Sequence, residues 1–244
     1  MMKQERGKTL AKALLRRAGF ELHRRDPEGS FAKRRQLLLE AEDVGIVLDV
    51  GGHAGEFGQA LRHHGYQGRI VSFEPVADLH ERLRRVAQGD VDWSCYKLAV
   101  GDRNGEVAVN ISGNDGFSSS VLEMMPKHQK ADPSSVYVGS ETVALATLDE
   151  QRAELLDNDR KVFLKVDTQG FEAEVIAGAT ETLAQCAVVE LELGLVELYG
   201  GQALFKEMIE LMNERGFVLN DLDPGFRDKD GKELLQADAL FVRM

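Results

Sequence analysis

Cysteine is scarce in this sequence, and long apolar runs are absent from it. The two cysteines, Cys95 and Cys186, lie in unrelated apolar segments without the spacing of metal ligands. This placement predicts buried thiols in a reducing compartment and no metal site. No run of eighteen apolar residues predicts a transmembrane helix, and the N-terminus has no apolar core typical of a secretory signal. These absences favour a cytoplasmic protein.

Basic residues are also scarce outside one end of the chain. Residues 1–35 hold eleven Lys or Arg against four acidic residues, a net charge of +7. The whole chain carries −11, so the remainder carries −18. An acidic body argues against nucleic acid as the main partner.

The basic end contains an apolar stripe over residues 9–20. Such a stripe is typical of a membrane-surface helix or of a helix that packs on the following domain. Its shortness and its lack of Trp favour packing. A linker at 24–30 and a helix from Phe31 to about Glu42 follow. We therefore divide the chain into a basic N-terminal helical extension, 1–40, and a main domain, 41–244, whose oligomeric state the sequence leaves open.

The most informative motif lies at residues 46–58. Residues 46–50 are apolar apart from Asp49, which predicts a strand buried on both faces. Glycines follow at 51, 52 and 55, and a helical pattern that includes Phe57 comes next. A strand, a glycine turn and a helix in this order let the backbone approach a ligand closely.

The spacing of this motif favours S-adenosylmethionine over a dinucleotide. From Asp49 to Gly55 it is D-x-G-x-x-x-G, whereas dinucleotide sites use G-x-G-x-x-G. A carboxylate at the strand end repels a pyrophosphate but attracts a sulfonium or an ammonium. Strand 69–73 then ends in Glu74-Pro75, and an acid at this point can accept both ribose hydroxyls. A nicotinamide-dependent oxidoreductase and a purely structural turn with a buried Asp remain as alternatives.

The rest of the sequence predicts a doubly wound α/β fold with a mostly parallel sheet. Apolar segments alternate with helical patterns, and a hairpin closes the chain. Further strands are predicted at 93–100, 142–148, 161–167, 187–193, 217–222 and 237–243, with an antiparallel excursion at 106–111. Because ligands bind at the carboxyl ends of such strands, Asp49, Glu74, Ala99 and Asp167 are expected to converge there.

Residues 112–140 are polar and lack a periodic apolar pattern. They include Ser118–Ser120, which could line an acceptor site or form a turn, and His128, a candidate base that arrives when the segment closes. A segment of this length inside a domain is usually a functional lid or a disordered surface loop.

Several motifs together resemble the FkbM family of S-adenosylmethionine-dependent methyltransferases over about residues 44–243. They are VLDVGGHAG at 47–55, FEP at 73–75, LAVGD at 98–102, SSS at 118–120, TLD at 147–149 and LKVDTQGFE at 164–172. The resemblance implies a Rossmann-like class I methyltransferase fold, with a seven-stranded mostly parallel sheet and a C-terminal antiparallel strand. It also implies O-methylation, often of a sugar or polyketide hydroxyl.

Two positions depart from the family pattern. Gly52-His53 stands where the family usually has Ala-Asn, which affects how the methionine end of the cofactor is held. Gln169 stands where the family usually has Glu, so one acid near the reaction centre is missing. These departures motivate a third alternative, a non-catalytic module that binds S-adenosylmethionine without turnover.

The predicted site contains ten cofactor-binding positions and three catalytic candidates. The cofactor positions are Asp49, Gly51, Gly52, His53, Gly55, Phe57, Glu74, Pro75, Ala99 and Asp167. Asp167, at a strand end, is predicted near the transferred methyl group, or alternatively as a helix cap. Lys165 shares its face and could pair with it, and His53 lies in the glycine turn. Glu190 and Glu192 alternate on their strand and face a pocket or a neighbour. The expected partner is a small-molecule or glycan acceptor.

Overall fold

The computed structural model describes residues 30–156 and 160–244 of the chain. The predicted helix at 9–20 lies outside the described residues. Residues 35–244 form one compact unit, and Ser30–Arg34 is the described part of the segment before it. The helices are α1 (Phe31–Ala41), α2 (Glu56–His63), α3 (Ala77–Ala87), α4 (Pro126–Ala131), α5 (Leu148–Leu155), α6 (Glu172–Ala177), α7 (Thr180–Leu183) and α8 (Phe205–Glu214). The strands are β1 (Val44–Val50), β2 (Arg69–Phe73), β3 (Trp93–Tyr96), β4 (Ala99–Val100), β5 (Gly105–Ser112), β6 (Tyr137–Ala146), β7 (Lys161–Val166), β8 (Cys186–Gly194), β9 (Phe217–Pro224) and β10 (Gln236–Arg243).

The main sheet has seven strands in the order β3-β2-β1-β7-β8-β10-β9. The pairs from β3 to β8 are parallel, and β10 runs antiparallel to both β8 and β9. β1 is an interior strand, between β2 and β7, and is buried along nearly its whole length because its apolar run fits a strand covered on both faces. The predicted seven-stranded sheet with an antiparallel C-terminal strand is thereby confirmed.

A second, three-stranded sheet has the order β4-β6-β5. β5 pairs antiparallel with β6, which confirms the predicted excursion at 106–111. The single strand predicted at 93–100 is wrong, since Trp93–Tyr96 belongs to the main sheet and Ala99–Val100 belongs to the second one. The apolar residues continue across the break, so hydrophobic pattern alone did not locate it.

The segment 112–140 is more regular than the sequence predicts. It contains α4, a short 3₁₀ helix at Pro133–Ser135 and the start of β6. Its polar side chains form hydrogen bonds with one another. The Asn114 amide, for example, donates to Ser118 Oγ at 2.9 Å and to Asp132 Oδ2 at 3.0 Å. The N–H of Met125 donates to the carbonyl of Leu198 at 2.9 Å. The segment is thus packed on the domain, and its opening as a lid stays a prediction.

The chain after β7 also differs from the prediction in one detail. The predicted helix is divided into α6 and α7 around Gly178, where an added Cβ would lie 2.0 Å from the carbonyl oxygen of Gly101. Val175, Ile176 and Ala179 are nevertheless fully buried, as the helical spacing predicts.

Candidate active site

One cavity of about 290 Å³ lies at the carboxyl edge of the main sheet. Eight of the ten predicted cofactor positions line it, together with acidic and basic side chains from β7, β8, β10 and α1. The lining includes Gly51, Gly52, His53, Phe57, Glu74, Pro75, Ala99, Lys165, Asp167, Glu190 and Asp238. The strand ends predicted to converge at Glu74, Ala99 and Asp167 therefore meet in one place.

The glycine turn after β1 is shaped by two close approaches of backbone. The N–H groups of Gly51 and Gly52 both donate to the carbonyl of Phe73, at 3.0 and 2.9 Å. Gly51 has φ +81°, and a Cβ there would lie 1.9 Å from the carbonyl oxygen of Asp167. A side chain at 51 would therefore be strained and would collide with backbone. Gly55 does not line the cavity; it precedes α2 with φ +98°, which is a structural role, and its cofactor contact stays a prediction.

Glu74 is the buried carboxylate on the cofactor side of the cavity. Its Oε2 accepts from the N–H of His53 at 3.0 Å, and its Oε1 accepts from the N–H of Val76 at 2.9 Å. Burial raises the pKa of Glu74 to about 7, although the two N–H donors act in the opposite direction. Each carboxylate oxygen can accept a further hydrogen bond, so the group can still receive hydroxyls from the cavity.

His53 forms part of the wall and has both ring nitrogens engaged. Its Nδ1 lies 3.1 Å from Glu56 Oε2, and its Nε2 lies 3.0 Å from the carbonyl oxygen of Asp115. Its ring stacks on Phe117 with the centroids 4.1 Å apart. In this arrangement the imidazole closes the cavity wall and offers no spare nitrogen to a substrate.

Four polar residues lie side by side across four neighbouring strands. Ser72, Asp49, Lys165 and Glu190 are register partners on β2, β1, β7 and β8, and we call them the polar row. Ser72 Oγ donates to Asp49 Oδ2 at 2.8 Å, and Lys165 Nζ lies 3.5 Å from Asp49 Oδ1. Lys165 Nζ also donates to the carbonyl of Gly51 at 3.0 Å. The row thus joins the buried sheet to the glycine turn.

The polar row changes the roles predicted for two residues. Asp49 is fully buried and does not line the cavity, so the geometry supports a structural role for its carboxylate, and direct contact with the cofactor stays a prediction. Burial raises the pKa of Asp49, while Lys165 acts to lower it. Burial alone would lower the pKa of Lys165, but the carboxylates of Asp167, Asp49 and Glu190 outweigh it and raise that pKa. Lys165 therefore stays charged, which supports its pairing role over proton transfer.

Asp167 follows β7 and lines the cavity with a side chain that is 36% exposed. Its Oδ2 lies 3.4 Å from Lys165 Nζ, and its Oδ1 accepts from Gln169 Nε2 at 2.8 Å. The helix-cap interpretation is wrong, because the N–H groups of Thr168 and Gly170 donate to Glu172 instead. Asp167 is therefore directed to the cavity.

The contacts of Gln169 show how the structure accommodates an amide at the position where the family usually has Glu. Its Nε2 donates to Asp167 Oδ1 and to Glu192 Oε2, the latter at 2.9 Å, and its Oε1 accepts from the Tyr199 hydroxyl at 2.6 Å. An ionised Glu at 169 would place a third carboxylate between the other two. The amide separates them with two donated hydrogen bonds and no charge.

Two cavity residues were missed in the sequence analysis. Arg35 on α1 forms a bidentate ion pair with Glu190, with Nη2 2.6 Å from Oε1, and lies 5.0 Å from the centre of the Phe57 ring. Asp238 on β10 is the register partner of Glu192. Neither lies in a motif. The only signal was an acid inside the apolar run of β10 and an Arg on an otherwise ordinary helix.

The remaining candidates lie away from the cavity or contribute only to its wall. Glu190 lines the cavity as predicted, whereas Glu192 bonds to Gln169 and to the Gln236 amide outside it. His128 is buried between Tyr199 and Phe226 and does not reach the cavity. The lining includes Ser119 and Ser120 but not Ser118.

Within 30–156 and 160–244, no three His, Cys, Asp or Glu side chains are arranged to hold a metal ion. None of the helices in these ranges is long and apolar enough to cross a bilayer. Cys186 is buried and Cys95 is half-buried, and both are free thiols.

The strand order and the cavity at the carboxyl edge define a class I S-adenosylmethionine-dependent methyltransferase with a Rossmann-like fold. A family model described as the methyltransferase FkbM domain matches residues 49–219. The chain belongs to the FkbM methyltransferase family, and its cofactor is S-adenosylmethionine.

Relatives are found at the levels of both sequence and fold. The chain is 29% identical over 199 residues to "2-O-methyltransferase NoeI" of Sinorhizobium fredii, covering 77% of this chain and 79% of that protein. Among solved structures, magnesium protoporphyrin IX methyltransferase of Synechocystis PCC 6803 is 10% identical with TM-score 0.45 and covers 97% of each chain. Aeropyrum pernix fibrillarin is 11% identical with TM-score 0.46, covering 85% of this chain and 74% of its own.

Proposed function

We propose that this methyltransferase methylates a hydroxyl oxygen of a small molecule, and that the acceptor is a sugar. The observation that carries the proposal is a single cavity with a cofactor-binding edge at Glu74 and a cluster of carboxylates at Asp167, Glu190 and Asp238. The 2-O-methyltransferase relative supports the choice of oxygen as the methyl acceptor.

The residues on one side of the cavity fit S-adenosylmethionine. Gly51 and Gly52 line the cavity without side chains, so a ligand can approach the backbone of the turn closely. The Glu74 carboxylate would accept the two ribose hydroxyls. Pro75, Leu98 and Ala99 provide an apolar surface for the adenine. The Asp167 carboxylate would contact the ammonium of the methionine end, and the His53 ring would form the wall beside it without donating a hydrogen bond.

S-adenosylmethionine, when bound, would supply a methyl group on a sulfonium for direct displacement by the acceptor oxygen. The protein has to hold the acceptor in line and exclude water. Asp167 is proposed beside the transferred methyl group, with Lys165 fixing its carboxylate at 3.4 Å. Lys165 is already paired with carboxylates and contributes position and charge balance.

The charges in the cavity favour a neutral acceptor. Arg35 is neutralised by Glu190, and Lys165 is neutralised by Asp49 and Asp167. An anionic acceptor would therefore meet an excess of carboxylates. Hydroxyl groups, in contrast, donate well to carboxylates, and the exposed ring of Phe117 at the wall offers an apolar face for a sugar ring.

Calorimetry and a labelled-methyl assay test this proposal. We expect S-adenosylhomocysteine to bind and NADH to give no heat. We then expect transfer of labelled methyl from S-adenosylmethionine to at least one member of a panel of methyl hexopyranosides. Absence of S-adenosylhomocysteine binding would sink the cofactor assignment. Binding without transfer to any acceptor would instead favour the non-catalytic module.

A further inference from the structure

Three carboxylates line the acceptor side of the cavity, and they differ in how they are held. Asp167 accepts from Gln169 and lies beside Lys165, and Glu190 is bound by Arg35. Asp238 also lines the cavity, but within the described parts of the chain it forms no side-chain hydrogen bond or ion pair. Of these three carboxylates, Asp238 is therefore the one whose full hydrogen-bonding capacity is available to a ligand.

The position of Asp238 is fixed by the sheet rather than by a loop. It is the third residue of β10 and lies between register partners Glu192 on β8 and Asp223 on β9. The neighbouring Ala237 and Ala239 are buried, so the backbone at this point is held by packing on both sides. The charged groups around its carboxyl are Asp167 and Lys165 from the β7 end, Glu190 and Glu192 from β8, and Arg35 from α1.

We propose that Asp238 is the catalytic base that accepts the proton of the acceptor hydroxyl. This inference rests on the proposed O-methylation. In the balanced step, the bond between acceptor oxygen and methyl carbon forms while the bond between sulfur and methyl carbon breaks. The sulfur keeps the electron pair, and the hydroxyl proton passes to the Asp238 carboxylate and from there to water.

The surroundings of Asp238 suit this role better than those of the other two carboxylates. Asp167 already accepts from the Gln169 amide and Glu190 from the Arg35 guanidinium, so less of their hydrogen-bonding capacity remains for a substrate hydroxyl. Burial raises the pKa of Asp238 to about 7, the carboxylates of Asp167 and Glu190 act in the same direction, and Lys165 and Arg35 oppose them. A base with a pKa near the working pH combines an adequate ionised fraction with a strong tendency to take a proton.

The first experiment compares the variants Asp238→Asn and Asp223→Asn. The assay measures single-turnover methyl transfer from labelled S-adenosylmethionine to the methyl hexopyranoside panel. For Asp238→Asn we expect a rate about 10²- to 10⁴-fold lower, loss of the rise in rate between pH 6 and 8, and unchanged S-adenosylhomocysteine affinity. The exposed Asp223, on the adjacent strand, is the matched control and should retain the wild-type rate. An Asp238→Asn protein with the wild-type rate and pH profile overturns the inference.

The second experiment needs no acceptor. Carboxyl ¹³C NMR of the protein with bound S-adenosylhomocysteine should show one Asp titrating near pH 7, and this signal should be missing from Asp238→Asn. A titration near pH 7 supports the inference even if no glycoside is methylated. Failure to methylate any glycoside overturns only the proposed acceptor class. A carboxyl that stays ionised down to pH 5 overturns the inference even where transfer is found.

Discussion

At the scale of single residues, the proposed contact of Glu74 with the cofactor predicts that cofactor binding depends on pH. Its pKa is raised to about 7, so the carboxylate is largely protonated at pH 6 and largely ionised at pH 8. Only the ionised form can accept both ribose hydroxyls while it keeps the N–H groups of His53 and Val76. We expect the affinity for S-adenosylhomocysteine to rise with pH and to level off above 7, with a slope below 7 approaching about tenfold per pH unit.

Calorimetry at several pH values measures this slope, and Glu74→Gln is the control because it cannot ionise. The variant should bind weakly and with little pH dependence. A slope that survives in Glu74→Gln would assign the titration to another group, such as Asp238, and would contradict the role given to Glu74.

Also at the scale of single residues, the ion pair between Lys165 and Asp49 in the polar row contributes to the free energy of unfolding. Lys165→Met removes the cation and leaves Asp49 buried without its ion pair. Breaking a buried pair in this way typically costs about 3–5 kcal/mol in the free energy of unfolding. Urea unfolding measures this loss. The double variant with Asp49→Asn and Lys165→Met should recover much of it, and a double variant as unstable as the single one would show that packing, not charge, is the cause.

Sequence reasoning found most of the site residues but misjudged how some of them act. Glu74, Asp167 and the glycines at 51 and 52 were found because strand ends converge at one edge of a parallel sheet. Asp49 was assigned to the ligand because a buried acid needs a partner, and the sequence does not reveal that Lys165, more than 100 positions away, is that partner. Asp238 was missed because a single acid in a strand carries no motif.

At the scale of elements, the turn between β1 and α2 depends on backbone conformation. Gly51→Ala introduces a Cβ at φ +81° and 1.9 Å from the Asp167 carbonyl, so the turn or the end of β7 has to move. We expect S-adenosylhomocysteine affinity to fall more than about tenfold, which corresponds to about 1.4 kcal/mol.

Gly65→Ala is the matched control for this change. Gly65 ends the following helix with φ +96°, and its added Cβ would meet nothing within 4 Å. It should lose about 1 kcal/mol of stability through backbone strain and keep its affinity, as calorimetry and urea unfolding can show. Equal losses of affinity in both variants would show that left-handed strain, rather than the contact with β7, governs the site.

The bounds of elements could be predicted where the chain carries local signals. β2 was predicted residue for residue because it is apolar and flanked by polar or glycine positions, and α3 ended as expected before Gly89. The division between β3 and β4 depends on pairing with β6, about 45 residues later, so no local pattern marks it. The sequence predicts no regular structure around α4, because the polar residues there are held by hydrogen bonds to side chains that are distant in the sequence.

At the scale of the whole molecule, buried acids make the free protein less stable as pH rises. The pKa values of Glu74, Glu172 and Asp238 are each raised to about 7, mainly by burial. Between their ordinary values and about 7, the folded protein binds more protons than the unfolded chain. Stability from these groups is therefore present at low pH and lost as pH rises through 7.

We expect urea midpoints of the free protein to fall between pH 5 and 8. Glu172→Gln should flatten this fall by up to about 1.4 kcal/mol per pH unit, because it removes one titrating group. The Gln oxygen can still accept from the N–H groups of Thr168 and Gly170, which now donate to Glu172. Stability that rises over this range would contradict the direction assigned to all three acids.

The polar row also ends at the one tryptophan of the chain. Trp93 Nε1 donates to Ser72 Oγ at 3.0 Å, and Ser72 in turn donates to Asp49. The indole is almost fully buried, and its ring lies against Gly58 of α2. The protein therefore contains its own optical reporter: tryptophan fluorescence comes from one known environment, and we expect its emission wavelength to shift when the charge state of the Asp49–Lys165 pair changes, without any added label.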